Sequence, residues 1–200
     1  MLRRNPTGAF ADHWVFPGGR VDPGDADPDR PDDELAAARR AAVREAREEA
    51  SLEFDIDALV TLSQWVPPPE SPRRFSTWFF LAPAPAASAV TIDGTEIHDH
   101  AWLRPADAIA RRDAGEIELA PPTWVTLSTL ATAADLSAAI TEADGRDPVH
   151  YTTRVATAEG RITVAMWHGD AGYDDGDVDR PGLRHRLLML PDGWRFEHTL

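Results

Sequence analysis

Three glutamates at positions 45, 48 and 49, directly preceded by Arg44, close an alanine-rich run that begins near Glu34. Residues three and four apart share one face of a helix, so Glu45, Glu48 and Glu49 are expected to crowd a single surface. Carboxylates gathered in this way repel one another unless a cation sits among them, and hard oxygen donors suit Mg²⁺ or Mn²⁺. A solvated acidic helix face is the ordinary alternative for such a run taken alone. Upstream, Val15-Phe16-Pro17-Gly18-Gly19-Arg20-Val21 carries two adjacent glycines, which let the backbone turn sharply and approach a bound group closely.

The composition narrows the chemistry. There is no cysteine, which removes disulfides, thiolate ligands and thiol nucleophiles, and which suits a reducing cytoplasm. All 20 basic residues are Arg, so a Schiff-base lysine and a P-loop lysine are excluded. A formal net charge of −14 argues against a nucleic-acid backbone as partner, while a small anionic substrate neutralised locally by metal remains open. No apolar run reaches the ~20 residues of a membrane helix, and Met1-Leu2-Arg3-Arg4 leads into no signal-like apolar stretch. The expectation is a cytoplasmic protein with no membrane partner.

The elements that must position these residues follow from pattern. Asp22 to Asp33 is rich in Asp and Pro and reads as an exposed loop, and Pro31 with Asp32, Asp33 and Glu34 reads as a helix start. Leu35, Ala38, Ala42, Val43, Ala46 and Ala50 are the expected buried side of that helix. Ile56 to Val66 and Phe75 to Leu81 read as strands, Ala82 to Ala89 as an Ala/Pro connector and Glu96 to Leu103 as a strand. Helices are expected from Pro105 to Ala114 and onward from a Thr123 cap. Beyond about Asp135 the texture changes. One hairpin is expected from Val149–Thr157 and Arg161–Trp167 across Glu159-Gly160, and another from Leu183–Leu190 and Trp194–Glu197 across Pro191-Asp192-Gly193.

Gly19, Asp25, Arg44, Glu45, Glu48, Glu49 and Leu52 together resemble the Nudix hydrolase signature, G-x5-E-x7-R-E-U-x-E-E-x-G-U with U apolar. Asp25 stands where the pattern has Glu, 18 residues separate Asp25 from Arg44 where the pattern has 7, and Ser51 stands at the Gly. A left-handed backbone at the helix exit would carry a steric cost at Ser51. The resemblance implies an α/β/α sandwich with a mixed sheet, residues 1–134 as the Nudix domain and 135–200 as a C-terminal β extension packed on it. It also implies Mg²⁺- or Mn²⁺-dependent hydrolysis of a nucleoside diphosphate conjugate, with Glu45, Glu48, Glu49 and the Gly19 carbonyl as metal ligands. Arg44 is then the residue that orients the carboxylates, through Glu48. Homodimers are frequent in the family. The resemblance further implies a full apolar strand ahead of Leu2-Arg3-Arg4, so either translation begins upstream of Met1 or the sheet is closed by a partner chain or the C-terminal hairpins.

The family often takes its general base from a later glutamate, which points to Glu96, with Glu53, Asp55, Asp93, Asp99 and Glu45 as competitors. Arg20, Arg73 and Arg74 are candidate substrate contacts, because guanidinium forks suit phosphates. His98 and His100 would share a strand face with Glu96, a pattern compatible with zinc but lacking a third ligand at a recognised spacing. The acidic run from His168 to Pro181 lacks the glycine and closing Glu of a calcium loop and reads as a solvated loop. Within the family, Phe16-Pro17-Gly18-Gly19-Arg20-Val21-Asp22, Trp65-Val66-Pro67 with Pro72-Arg73-Arg74-Phe75, and Pro121-Pro122-Thr123 resemble a branch related to the peroxisomal acyl-coenzyme A diphosphatases. That implies coenzyme A or acyl-coenzyme A as substrate. An ADP-ribose-type diphosphatase and a degenerate module that binds a nucleotide without turnover are the alternatives.

Overall fold

The computed structural model describes residues 1–8, 10–71, 75–84, 89–158 and 162–199. Arg73, Arg74, the Glu159-Gly160 turn and Pro85 to Ser88 of the connector lie outside them. The chain has an α/β fold, with helices beside both antiparallel and parallel strand pairs. Two compact units form: residues 1–62 with 80–147, and residues 63–79 with 148–200.

In the first unit, β1 (Leu2–Arg4) lies between β2 (Trp14–Val15) and β5 (Ile97–His100), antiparallel to both. Helix α1 (Glu34–Ala50) follows, with Asp33 as its cap, whose side chain accepts from the Ala36 N–H at 3.0 Å. The helix therefore starts three residues after Pro31, on an acid that satisfies an orphan donor. Its buried positions are Ala37, Ala38, Ala41, Ala46, Glu49 and Ala50, and Leu35, Ala42 and Val43 are only half-buried. Arg39 spans from the helix to the Ile56 carbonyl and the Thr61 hydroxyl, both at 3.3 Å. The helix ends against a small core of Leu2, Ala50, Leu52 and Ile97, with Val15, Phe54, Val90 and Ile92 packed on it.

The segment expected as one strand from Ile56 begins instead as a 3-10 turn, Ile56–Ala58, because Asp55 accepts the Asp57 N–H; β3 (Val60–Val66) follows. After β4 (Thr77–Leu81) and β5 come α2 (Pro105–Asp113) and α3 (Pro121–Leu130). The α3 helix starts with Pro121 in its first turn, so Thr123 is buried inside that turn rather than capping it. An α4 (Leu136–Asp144) that the pattern did not announce is capped by Asp135, which accepts the Ala138 N–H at 2.9 Å.

In the second unit, β6 (Val149–Thr152) runs parallel to β3, with Ser63 opposite Val149 and Val66 opposite Thr152. The sheet order is β4-β3-β6. β7 (Arg154–Ala158), β8 (Ile162–Met166), β9 (His185–Leu190) and β10 (Gly193–His198) form an antiparallel meander. Trp65 stacks on Tyr151 at 3.9 Å between ring centres, and Trp167 meets both edge-on. The acidic run after His168 differs from the expected solvated loop at Asp170, Gly172 and Tyr173, which are buried. Asp170 is buried and takes hydrogen bonds from the Arg186 guanidinium, the His185 N–H and the Gly172 N–H. Burial pushes the Asp170 carboxyl up, but these donors outweigh it and hold it at about 2.

Candidate active site

The end of α1 and the loop around Gly19 place a guanidinium at the centre of four acids. Arg44 donates from Nε and Nη2 to Asp25 Oδ1 and Oδ2 at 3.2 and 2.9 Å, in a bidentate fork. Its Nη1 reaches Glu45 Oε1 at 2.9 Å and Glu48 Oε2 at 3.0 Å, and Nη2 also donates to the Arg20 carbonyl at 2.8 Å. Asp22 lies 3.8 Å from the same nitrogen. Arg44 thus meets Glu48 one turn on, and its bidentate partner is Asp25, 19 residues earlier. Asp25 is only 6% exposed and the Arg44 hydrogen bond holds its carboxyl below the usual carboxylate range. The same contact raises the Arg44 pKa further.

Local structure explains how the shorter Asp25 reaches the arginine. Pro23–Asp25 forms a 3-10 turn in which the Asp22 N–H donates to Asp25 Oδ2 at 2.8 Å, and Arg40 Nε donates to the Asp25 carbonyl. The longer connection after it is folded on itself by Arg30, which pairs with Asp27 and Asp33 at 3.6 and 3.3 Å.

Gly19 faces the Glu45 carboxylate so closely that a Cβ there would fall on it. Any larger residue there would require the Glu45 carboxylate to shift. Glu49 is 5% exposed and accepts the Gly18 N–H at 2.9 Å. Burial pushes its carboxyl up to about 7; the Gly18 N–H works against this, Glu45 and Glu96 add to it, and Arg4 opposes it. Glu48, by contrast, is exposed over 57% of its side chain. So the three glutamates differ: Glu45 is tucked against Gly19, Glu49 is buried, and Glu48 stands in solvent apart from its Arg44 contact. Ser51, just after the helix, has φ 54° and ψ 32°, the left-handed exit at which the signature has glycine, and its hydroxyl donates to the Thr91 carbonyl at 3.2 Å.

Glu96 is held by Arg4, whose Nη2 lies 3.3 Å from Oε2, and by Asp93, which accepts the Glu96 and Ile97 N–H groups at 3.0 Å each. Asp93, a competitor for the base, is thereby committed to shaping the turn. Burial raises the Asp93 carboxyl, but the Thr95 hydroxyl and these amides bring it below its ordinary value. The Arg4 contact was not evident in one dimension, since Arg4 and Glu96 are 92 residues apart. Among the other candidates, Arg20 enters the described geometry through its carbonyl, and His98 and His100 are exposed on β5.

No group of three His, Asp or Glu among the described residues stands close enough to grip a metal as placed. The donor set nonetheless suits a hard divalent cation: it is all oxygen, the Glu49 carboxyl is burdened by burial and by neighbouring carboxylates, and the side-chain-free Gly19 leaves its backbone beside Glu45.

Comparison with known proteins agrees with the motif. A family model described as NUDIX domain matches residues 1–123. A Caenorhabditis elegans protein named "putative nudix hydrolase 7" is 27% identical over 218 residues, covering 90% of this chain and 72% of its own length. A crystal structure of a NUDIX hydrolase from Alicyclobacillus acidocaldarius is similar in fold, with a TM-score of 0.62 and 23% identity over 70% of this chain and 86% of that one.

Proposed function

Because the chain belongs to the Nudix family and is a diphosphate-cleaving hydrolase, we propose that it is divalent-metal-dependent and splits the diphosphate of a nucleotide conjugate, with coenzyme A or acyl-coenzyme A as substrate. The observation that carries the proposal is the Arg44 hub, which ties Asp25, Glu45 and Glu48 together beside the Gly18-Gly19 turn. The coenzyme A reading rests on the branch resemblance of Phe16 to Asp22, Trp65 to Pro67 and Pro72 to Phe75. Residues 1–134 are proposed as the catalytic Nudix domain and 135–200 as its extension.

Mg²⁺ or Mn²⁺, held by Glu45, Glu48, Glu49 and the Gly19 carbonyl, would neutralise the diphosphate and lower the pKa of the attacking water. Arg44 pairs with the Glu45 and Glu48 carboxylates and so restrains both beside the proposed metal position. Gly19 admits close approach of backbone to that carboxylate. Glu96, oriented by Arg4 and the Asp93 turn, is the proposed base that takes the water proton. Arg20 and at most one of the adjacent Arg73 and Arg74 are proposed to meet the substrate phosphates.

The departures from the signature bear on the alternative of a binding module without turnover. Asp25 still makes the bidentate pair with Arg44, and Ser51 still adopts the left-handed exit, so both substitutions are accommodated. The test is incubation with Mg²⁺ or Mn²⁺ and a panel of coenzyme A, acyl-coenzyme A, ADP-ribose, NADH and nucleoside triphosphates, followed by separation of split products. Cleavage of coenzyme A ahead of ADP-ribose is expected, and Glu48→Gln is expected to lower it by about 100-fold or more. Silence across the panel would sink the reading.

A further inference from the structure

One surface of the β4-β3-β6 sheet carries a small polar and aromatic array that the proposed chemistry does not use. Gln64 of β3 lies opposite His150 of parallel β6, and its Oε1 is 2.8 Å from His150 Nδ1. Its Nε2 donates to Ser76 Oγ, also at 2.8 Å. Their neighbours Trp65 and Tyr151 point the other way and stack in the core, so Gln64 and His150 project from the opposite, outer face. His150 and Ser76 are exposed. Trp78 of β4 is half-buried, its indole 6.0 Å from the imidazole with the planes at 79°.

Exposed side-chain hydrogen bonds return little stability, and fixing three side chains costs rotamer entropy. An array ordered in this way on a surface is preorganised, which lowers the entropic cost of binding a guest. Its chemistry selects the guest. With Gln64 Oε1 as acceptor, His150 Nδ1 carries the ring hydrogen, leaving Nε2 as an acceptor suited to an exocyclic amine. The indole offers a face for a planar ring, and a ring stacked on it presents its edge toward the roughly perpendicular imidazole. None of Gln64, Ser76, Trp78 and His150 is acidic, in a chain with 34 Asp and Glu, so nothing in the array repels a phosphate-bearing ligand.

We propose that Trp78 and His150, aligned by Gln64 and Ser76, form a binding site for the adenine base of a nucleotide, stacked on Trp78 with its exocyclic amine donating to His150 Nε2. This rests on the nucleotide-conjugate reading, and all four residues belong to the second unit.

The test uses the full chain in EDTA, titrated calorimetrically with AMP, ribose 5-phosphate and purine riboside 5′-monophosphate, which lacks the exocyclic amine. None of these contains a diphosphate, so binding is read without turnover. AMP is expected to bind, and ribose 5-phosphate to bind at least about tenfold more weakly for lack of a stacking base. Trp78→Leu should weaken AMP about fivefold or more, while Trp78→Phe, which keeps an aromatic face, should stay within about threefold. His150→Ala should abolish a preference for AMP over the purine nucleotide of about threefold, a readout that general loosening of the sheet would not move. If Trp78→Leu fails to fold by circular dichroism, the Phe variant and the His150→Ala preference decide. No AMP binding at millimolar concentration, equal binding of ribose 5-phosphate, or an AMP preference that survives His150→Ala overturns the site. Base-dependent binding without hydrolysis of the panel overturns the hydrolase reading alone, and hydrolysis without base-dependent binding overturns this site alone.

Discussion

The environment of Glu49 disfavours its charge, and the cost depends on pH. Its carboxyl titrates near 7 in the folded chain against an ordinary value of 4.5, because burial and the adjacent Glu45 disfavour the charge. Between those values the folded state holds a proton that the unfolded chain has released. Glu49's contribution therefore falls as pH rises from about 4.5 to about 7, by on the order of 3 kcal/mol, and stays low above that. Glu49→Gln keeps an acceptor for the Gly18 N–H without a charge. In EDTA at pH 8 that variant is expected to be more stable than the parent by about 2–3 kcal/mol in urea denaturation, with the difference vanishing near pH 4. Parallel stability curves across pH would refute the assignment. Gly19→Ala is a second residue-scale case: the added Cβ falls on the Glu45 carboxylate, so turnover should drop about 100-fold while stability changes by under about 2 kcal/mol. An undiminished kcat would show that Glu45 is free to move aside. At this scale the carboxylate spacing was legible, since i, i+3 and i+4 fix a helix face. The bidentate partner of Arg44 was not, because Asp25 is brought to it by a turn and an inserted loop, and because which of several acids becomes buried depends on contacts distant in sequence.

At the scale of the element, α1 presents the site, and its exit determines where Glu48 and Glu49 stand. The alanine run and the acidic start announced the helix; the choice of Asp33 over the residues at Pro31 was made by a side-chain hydrogen bond that composition does not reveal. The exit bends through Ser51, a residue with a Cβ in the left-handed region, where the penalty is roughly 1–2 kcal/mol. The Ser51 hydroxyl bond to Thr91 offsets part of this, and the Thr91 N–H to the Ala50 carbonyl at 3.1 Å ties the same segment to the helix end. Ser51→Gly should relieve the strain and lose the hydroxyl bond, for a net gain of about 0.5–1 kcal/mol. Ser51→Val keeps a Cβ, adds a β-branch and lacks the hydroxyl, and should lose about 2 kcal/mol. Thermal denaturation of the two variants gives the comparison; a more stable Val variant would mean that the exit can leave the left-handed region without cost. The 3-10 turn at Ile56 and helix α4 escaped pattern reading for a related reason. Each is set by one Asp capping one N–H, a short-range bond that competes with the hydrophobic period.

Across the whole molecule, the chain passes between its two compact units at 62/63, 79/80 and 147/148, so the partition falls within β3 and β4. The expected hairpin across Pro191-Asp192-Gly193 forms from β9 and β10, whereas the strand expected from Val149 to Thr157 is divided: Arg154–Ala158 pairs with β8, and Val149–Thr152 leaves that hairpin to pair with β3. The role of residues 63–79 was not legible, because parallel pairing of β3 with β6 joins segments more than 80 residues apart. Nor was the Asp170–Arg186 pair, since one buried acid among several in a loop looks like the rest; its side chain is fully enclosed and that of Arg186 is 4% exposed. A chain ending at Asp147 tests this organisation. It retains Ser63–Val66 but removes β6, and it leaves Trp65, 4% exposed in the full chain, without Tyr151 and Trp167. Uncovering an aromatic of that size costs about 3–5 kcal/mol. Residues 63–79 should therefore lose protection in the shortened chain even where 1–62 and 80–147 keep their helices. Chymotrypsin is expected to cut after Trp65 and Phe79 in residues 1–147 at a concentration that leaves both bonds intact in the full chain. Because Phe75 is exposed in the full chain, cleavage there does not discriminate. If Trp65 stayed protected in a soluble, monomeric 1–147 fragment, β3 would be held by the first unit alone, and the division at 62/63 would have no energetic meaning.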